Sequence, residues 1–228
     1  MTEPSGGLVA GFVVLAVGLA AAFVAAVGWT GGRRQALLAA GGAAAWLGVT
    51  GAAAAAGRLT FDSRPPTMPV LVLAAWVAAL WLGLGPVGKR LGAKLPLAVL
   101  VGVQGFRLPL ELLMHRAYTE GLMPVQMSYE GLNWDILTGA SALVVAALLA
   151  AGRMPLGGVR LWNYAGAALL LNILTVALLS APGLDVFDAP NVWITGFPFV
   201  WLPSVMVVTA IAGHIIIFRR LRETEARR

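Results

Sequence analysis

The chain has 228 residues, 59% hydrophobic and 11% charged, with sixteen Lys and Arg against ten Asp and Glu and no cysteine. Its apolar runs reach the roughly 20 residues needed to cross a bilayer, which excludes a soluble fold and leaves no room for a separate soluble domain. The missing cysteines exclude disulfides, thiol catalysis, thiolate zinc and iron-sulfur chemistry, and the net charge of +6 reads as topological rather than as a nucleic-acid footprint.

Seven apolar segments are predicted, at about 8 to 28, 35 to 56, 69 to 87, 96 to 117, 135 to 151, 162 to 181 and 198 to 218. They imply an all-α polytopic membrane bundle, one domain over residues 1–228 with seven transmembrane helices. The leader MTEPSGG carries Glu3 and no Lys or Arg, unlike a signal peptide, so the first segment is expected to remain as a helix. Segments one to three consist mainly of Ala, Gly, Val and Leu; small residues let helices approach closely in lipid, which marks these segments as scaffold. The fifth segment is short for a span. Connections such as GKRLGAK and GRMPLGGVR read as bare hairpin connectors, whereas RLTFDSRPPTMP, YTEGLMPVQMSYEGLNWD and PGLDVFDAPNVWITGFPF gather the aromatics, acids and amides that binding loops carry. Trp134, Trp193, Trp201, Tyr118 and Tyr129 also suit a lipid interface whatever the function.

The basic residues set an orientation. The connections after segments one, three and five, with the C-terminal tail, hold twelve of the sixteen Lys and Arg, including Arg33, Arg34, Lys89, Arg90, Lys94, Arg219, Arg220, Arg227 and Arg228. The opposite side takes seven of the ten acids: Glu3, Asp62, Glu120, Glu130, Asp135, Asp185 and Asp188. The positive-inside rule then predicts the N-terminus outside and the C-terminus in the cytoplasm of a cell inner membrane.

Segment four carries Gln104, Arg107, Glu111 and His115 three or four residues apart, on one helix face. A full charge in hydrocarbon costs at least roughly 2.5–3.5 kcal/mol, so intramembrane Arg107 and Glu111 mark a site by default. At 1.5 Å per residue Arg107 falls about mid-bilayer, Glu111 about 6 Å further out and His115 near the outer interface. Pro109 removes a backbone donor, frees the Gly105 carbonyl and predicts a kink. The plainer account is that Arg107 and Glu111 neutralise each other at i, i+4 and only pin the helix to its neighbours.

Glu111 and His115 could share an ion or relay protons, but two ligands make no metal site, and no metal or cofactor is expected. Glu130, Asn133 and Asp135 are positioned to complete a pocket; Asn133 and Asp135 could instead cap segment five. Asn172 and Thr175 of segment six are further candidates or bundle-holding polar residues. His214 follows Pro198 by about 16 residues, roughly 24 Å deep and close to the cytoplasmic face, remote from the stripe.

Seven helices with an outer N-terminus resemble rhodopsins in topology alone, since neither Lys89 nor Lys94 lies in segment seven. FRLPLELLMH (Phe106 to His115), YEGLNWDILTG (Tyr129 to Gly139) and PFVWLP resemble an uncharacterised group of small bacterial multi-pass membrane proteins with FRxPxELxxH and YEGxNxDIxTG strings. The resemblance implies where a site lies and no activity.

The expectation is an inner-membrane protein in the lipid bilayer whose outward-facing pocket binds a small polar or anionic ligand for transport or sensing. Arg107, Glu111 and His115 form its centre, with Gln104, Glu130, Asn133 and Asp135 around them, and Arg107 would meet an anionic group. Two alternatives stand beside it: an outer-leaflet enzyme acting on a lipid or lipid-linked substrate, with Glu111 or Asp135 as base, and a structural component of an assembly.

Overall fold

The computed structural model describes residues 3–184 and 186–226, so Asp185, Arg227 and Arg228, counted above, lie outside the described residues. The chain is all-helical over the described residues. In order come α1 (Gly6–Gly31), α2 (Arg33–Ala55), α3 (Thr67–Leu84), α4 (Pro86–Lys94), α5 (Leu97–Val103), α6 (Arg107–Thr119), α7 (Ile136–Ala150), α8 (Leu156–Leu179) and α9 (Val207–Glu225). Six stretches are long and apolar enough to cross a membrane: α1, α2, α3, the combined Leu97–Thr119, α8 and Leu202–Glu225. Large apolar side chains on these helices point outward, among them Val14, Leu38, Val49, Leu73 and Leu161, which suits a surface solvated by lipid rather than water.

Hydrocarbon gives helices no hydrophobic drive to associate, so close packing has to hold them. Between α3 and α9 the contact is a run of small residues, Ala75, Ala79 and Gly83, one turn apart and buried. A Cβ at Gly83 would stand 2.9 Å from the Ile215 Cβ, so only glycine permits the approach. Helix α9 is the hub, packing on α3, α4, α5 and α8.

One end of the bundle is basic, and its cations serve the helix termini. Carbonyls in the last turn of a helix lack intrahelical donors and carry partial negative charge. Lys94 Nζ donates to the Thr30 carbonyl at 2.7 Å, at the end of α1, and Arg219 Nη1 donates to the Gly83 and Leu84 carbonyls at 2.8 and 2.5 Å, at the end of α3. Here the structure corrects the reading of GKRLGAK as a bare connector. It forms α4, with Gly85 at the N-cap, Pro86 in the first turn, where a missing N–H costs nothing, and Leu91 turned into the core.

At the opposite, loop-rich end, Ser5 donates its backbone N–H and its hydroxyl to Glu120, whose carboxylate also accepts from Arg116 Nε at 2.8 Å. These contacts hold the Glu120 carboxyl down at about 2, with the Arg116 hydrogen bond the largest cause, and tie the start of α1 to the end of α6. Phe12 meets Trp193 and Phe199 edge-on, at 5.7 and 5.1 Å between ring centroids, fixing the chain that leads into α9.

Segment seven starts later than its apolar run suggests. Residues 193–200 are turns, and Leu202–Met206, containing Pro203, form a π-helical turn before α9. Proline cannot donate to the helical ladder, and the loosened turn leaves the Ser204 carbonyl to accept from Trp46 Nε1 at 2.8 Å.

The shortness of α7, 15 residues, has a structural cause. Before it begins, the chain descends into the bundle as irregular backbone: Met127, Ser128, Asn133 and Asp135 are all at most 4% exposed. Non-helical backbone inside a lipid-embedded bundle has to be covered by protein, and here α6 covers it through Glu111 and His115 and α8 through Asn172. Where α7 crosses the start of α6, Gly139 lies against the backbone of Arg107 and Leu108.

Gly139→Ala would put a methyl group onto that backbone, so it should lower the thermal unfolding midpoint in detergent, corresponding to roughly 1–3 kcal/mol of overpacking. Gly157→Ala in α8, with open space around its Cβ position, should leave it unchanged or slightly raised.

Candidate functional site

The site begins with Pro109. A proline in a helix denies a donor to the carbonyl four residues earlier and crowds it. Here α5 ends at Val103, Gln104–Phe106 tighten into a 3-10 turn, and α6 starts at Arg107. The expected kink thus appears as this break. Arg107, 1% exposed, enters the bundle interior there.

Arg107 does not close on Glu111 one turn away. Its Nε lies 3.0 Å from Asp135 Oδ2, at the start of α7, and its Nη1 donates to His214 Nε2 of α9 at 3.1 Å. The Asp135 contact is an ion pair without a directed N–H bond, and Arg107 Nη2 and Asp135 Oδ1 have no hydrogen-bond partner among the described residues. Because Arg has donors only, His214 Nε2 must accept. The ring proton therefore sits on Nδ1 and is donated to Asn163 Oδ1 of α8 at 2.7 Å, and His214 is the neutral imidazole. Asn163 Nδ2 returns a bond to the His214 carbonyl at 3.2 Å. One guanidinium thereby links α6, α7, α9 and, through His214, α8.

His214 is thus the largest correction to the sequence reading, which put it close to the cytoplasmic face and remote from the stripe. That depth counted helix from Pro198, whereas helix begins at Leu202 and runs on to Glu225, so His214 falls at mid-helix.

Glu111, 2% exposed, accepts from Asn133 Nδ2 at 2.7 Å. Asn133 Nδ2 also donates to the Met127 carbonyl at 3.0 Å, and its Oδ1 accepts the Asp135 N–H at 3.1 Å, so it holds the descending segment in shape and presents Asp135 to Arg107. Asp135 makes no side-chain cap to α7. Gln104 is fully buried against Gly213, and neither atom of its amide finds a hydrogen-bond partner. Glycines make room throughout: a Cβ at Gly213 would collide with the Gln104 amide, and one at Gly166 would stand 2.9 Å from His214 Cε1.

His115 belongs to a second, more open group. Its Nε2 is 3.6 Å from Glu130, its Nδ1 is 3.4 Å from Ser128 Oγ, and its ring stacks on Tyr129 at 4.5 Å. Glu130 is exposed and does not reach Arg107 or Glu111. Of the segment-six candidates, Asn172 donates to the Leu132 carbonyl at 2.7 Å and exposed Thr175 to the Leu171 carbonyl at 2.9 Å, so both serve the backbone. Asn163, not considered in the sequence reading, is the asparagine of α8 that joins the Arg107 cluster, through His214. Its signal was a polar side chain three residues from Gly166 in a largely apolar helix. Among the described residues no three His, Asp or Glu side chains form a metal-holding group.

Arg107, Glu111 and Asp135 stand at the polar end of a cavity of about 460 Å³, within the size range of ligand sites. Its walls are Pro69, Val72, Leu73 and Trp76 of α3; Leu170, Ile173, Leu174, Ala177 and Leu178 of α8; and Pro203, Met206 and Ala210 of the π turn and α9. Leu73 and Leu178 line it and are also 62% and 57% exposed, so the cavity reaches the apolar outer surface between α3 and α8. Asn191, missed in the sequence reading, adds an unpartnered Oδ1 to the lining.

A family model, the domain of unknown function DUF8737, matches residues 65–222, and the chain belongs to that family. The match covers every residue of the Arg107 cluster and leaves out α1 and α2. No curated protein matches the chain, and no solved structure does.

Arg107→Met would leave Asp135 buried without its cation, and breaking a buried pair from one side costs about 3–5 kcal/mol. The thermal midpoint in detergent should fall accordingly. Asp135→Asn added to Arg107→Met should restore much of it; losses that simply add would show that the two side chains are not energetically coupled.

Proposed function

We propose that this DUF8737 protein crosses the membrane seven times, with its N-terminus outside and its C-terminus in the cytoplasm, and binds a small amphipathic ligand for transport or sensing. The single observation that carries the binding reading is the cavity itself: apolar walls opening toward lipid, closed at one end by three ionisable side chains. Two of these present unpartnered polar atoms, Arg107 Nη2 and Asp135 Oδ1. Buried polar groups are normally satisfied, and exceptions clustered in one cavity are what a bound polar head would complete.

Seven crossings are supported by the descending segment before α7, which adds the depth that 15 helical residues lack. The orientation is supported by the basic end, where Lys94, Arg219 and Arg160 meet the ends of α1, α3 and α9. The cavity then opens near the outer half of the bundle. A lipid-modifying enzyme, with Glu111 or Asp135 as base, is the competing reading, favoured by the lateral opening; the lining adds no hydroxyl, thiol or imidazole to those two carboxyl groups.

Two measurements test this. The chain lacks cysteine, so single cysteines report topology directly: a membrane-impermeant maleimide added to intact cells should label Ala189→Cys, and Ala151→Cys only after permeabilisation. The opposite pattern inverts the orientation. Native mass spectrometry of protein released in mild detergent should show a bound small molecule on the wild type that is lost in Ala177→Phe, which fills the cavity and leaves every charge in place. A wild type without any adduct, or an adduct indifferent to Ala177→Phe, counts against the cavity as a ligand site.

A further inference from the structure

Resting on the reading of this cavity as a ligand site, we infer that its occupant is a lipophilic cation whose positive head is held by Glu111. The formal charges lining the cavity are one guanidinium, Arg107, and two carboxylates, Glu111 and Asp135. His214 adds none, because its Nε2 accepts from Arg107. Arg107 is already committed: its Nε faces Asp135 and its Nη1 donates to His214, which leaves one nitrogen for any anion. Glu111 is the carboxylate left over. Its protein partner is the neutral amide of Asn133, and among the described residues no cation stands within 4.0 Å of it.

A carboxylate beside apolar walls attracts a positive charge more strongly than it would in water, and an entering cation supplies the counter-charge that a buried carboxyl needs in order to be ionised. The rest of the lining favours the same class. Phe61, Trp76 and Phe106 are part of the lining, and aromatic rings are favourable neighbours for a cation. The opening past Leu73 and Leu178 admits a ligand dissolved in the membrane and so favours an apolar body of either charge, the sign being set by Glu111. The sequence reading gave Arg107 to an anionic head; in the structure Asp135 and His214 already face two of its three nitrogens.

A pair of probes matched in size and shape and opposite in charge tests the inference. In non-ionic detergent, tetraphenylphosphonium should raise the thermal unfolding midpoint of the purified full-length protein and tetraphenylborate should not. Glu111→Gln keeps an acceptor for Asn133 and should fold, yet it should weaken tetraphenylphosphonium binding by about tenfold or more, as expected when a buried charge pair is lost. Glu111→Asp, which keeps the charge, should retain part of the binding and guards against a folding defect in the Gln variant. Stabilisation by tetraphenylborate alone, dependent on Arg107, would overturn the cation inference and leave the ligand-site reading standing. Stabilisation by neither probe would overturn the cation inference as well, and the native mass spectrum of the wild type against Ala177→Phe then decides whether the ligand site falls with it. Tetraphenylphosphonium binding that is unaltered in Glu111→Gln would overturn the assignment to Glu111.

Discussion

A guanidinium removed from water must have its charge and its donors met by protein, and Arg107 is the point from which the other polar placements in this bundle follow. Asp135 meets the charge, so the chain before α7 has to descend until Asp135 is beside α6. His214 accepts one N–H, so α9 has to run past the same spot, and Asn163 fixes the imidazole tautomer, which brings in α8. Polar pairing in lipid gives modest stabilisation per bond, on average about 0.6 kcal/mol, so the value of such a network lies as much in specifying which helices meet as in strength. The arrangement also explains the glycines: Gly139, Gly166 and Gly213 each stand where a side chain would displace one member of the cluster or the backbone that carries it.

The apolar side of the site is built on different terms. Helix α3 joins the bundle through Ala75, Ala79 and Gly83 against α9, and α8 joins it mainly through α9 and α7, so the two walls of the cavity share a common support without being packed tightly on each other. Lipid-facing leucines at the seam leave a lateral route into the bundle, while the polar residues sit behind it. A ligand head would therefore reach the charges only after its apolar body had left the bilayer.

Much of this was legible in the amino-acid sequence because membrane physics writes strong signals. Apolar length located the six helices long enough to cross a membrane and the shorter α7, charge rarity singled out Arg107 and Glu111, and proline chemistry pointed to the break between α5 and α6. Asn133 and Asp135, on a loop by sequence, reach Glu111 and Arg107 of that stripe in the structure. Partner choice was less legible. Helical periodicity suggested that Arg107 would pair with Glu111, but an i, i+4 neighbour competes with any acid that tertiary structure brings closer, and Asp135 wins through a descent that leaves no periodic trace. His214 was misplaced for a related reason: depth was counted along an assumed regular helix, and the turns from 193 to 200 shift the count. Small residues flanking an isolated polar one, as in Gly213–His214 and Asn163 with Gly166, were the available signal for a side chain needing room.

The π turn at Leu202–Met206 introduces a phase shift. A π turn holds one residue more than an α turn, which advances every later side chain by about 100° around the helix axis. With that phase set, Met206, Ala210 and His214 fall one turn apart on one face of the helix, so the apolar lining at Met206 and Ala210 runs directly into the imidazole that accepts from Arg107. The wide turn thereby sets which stripe of the helix joins the apolar and polar halves of the site. A residue added or removed between Trp201 and His214 would rotate that stripe away from the site, and within the stretch Gly213 is fixed by identity as well, since a Cβ there would collide with the Gln104 amide.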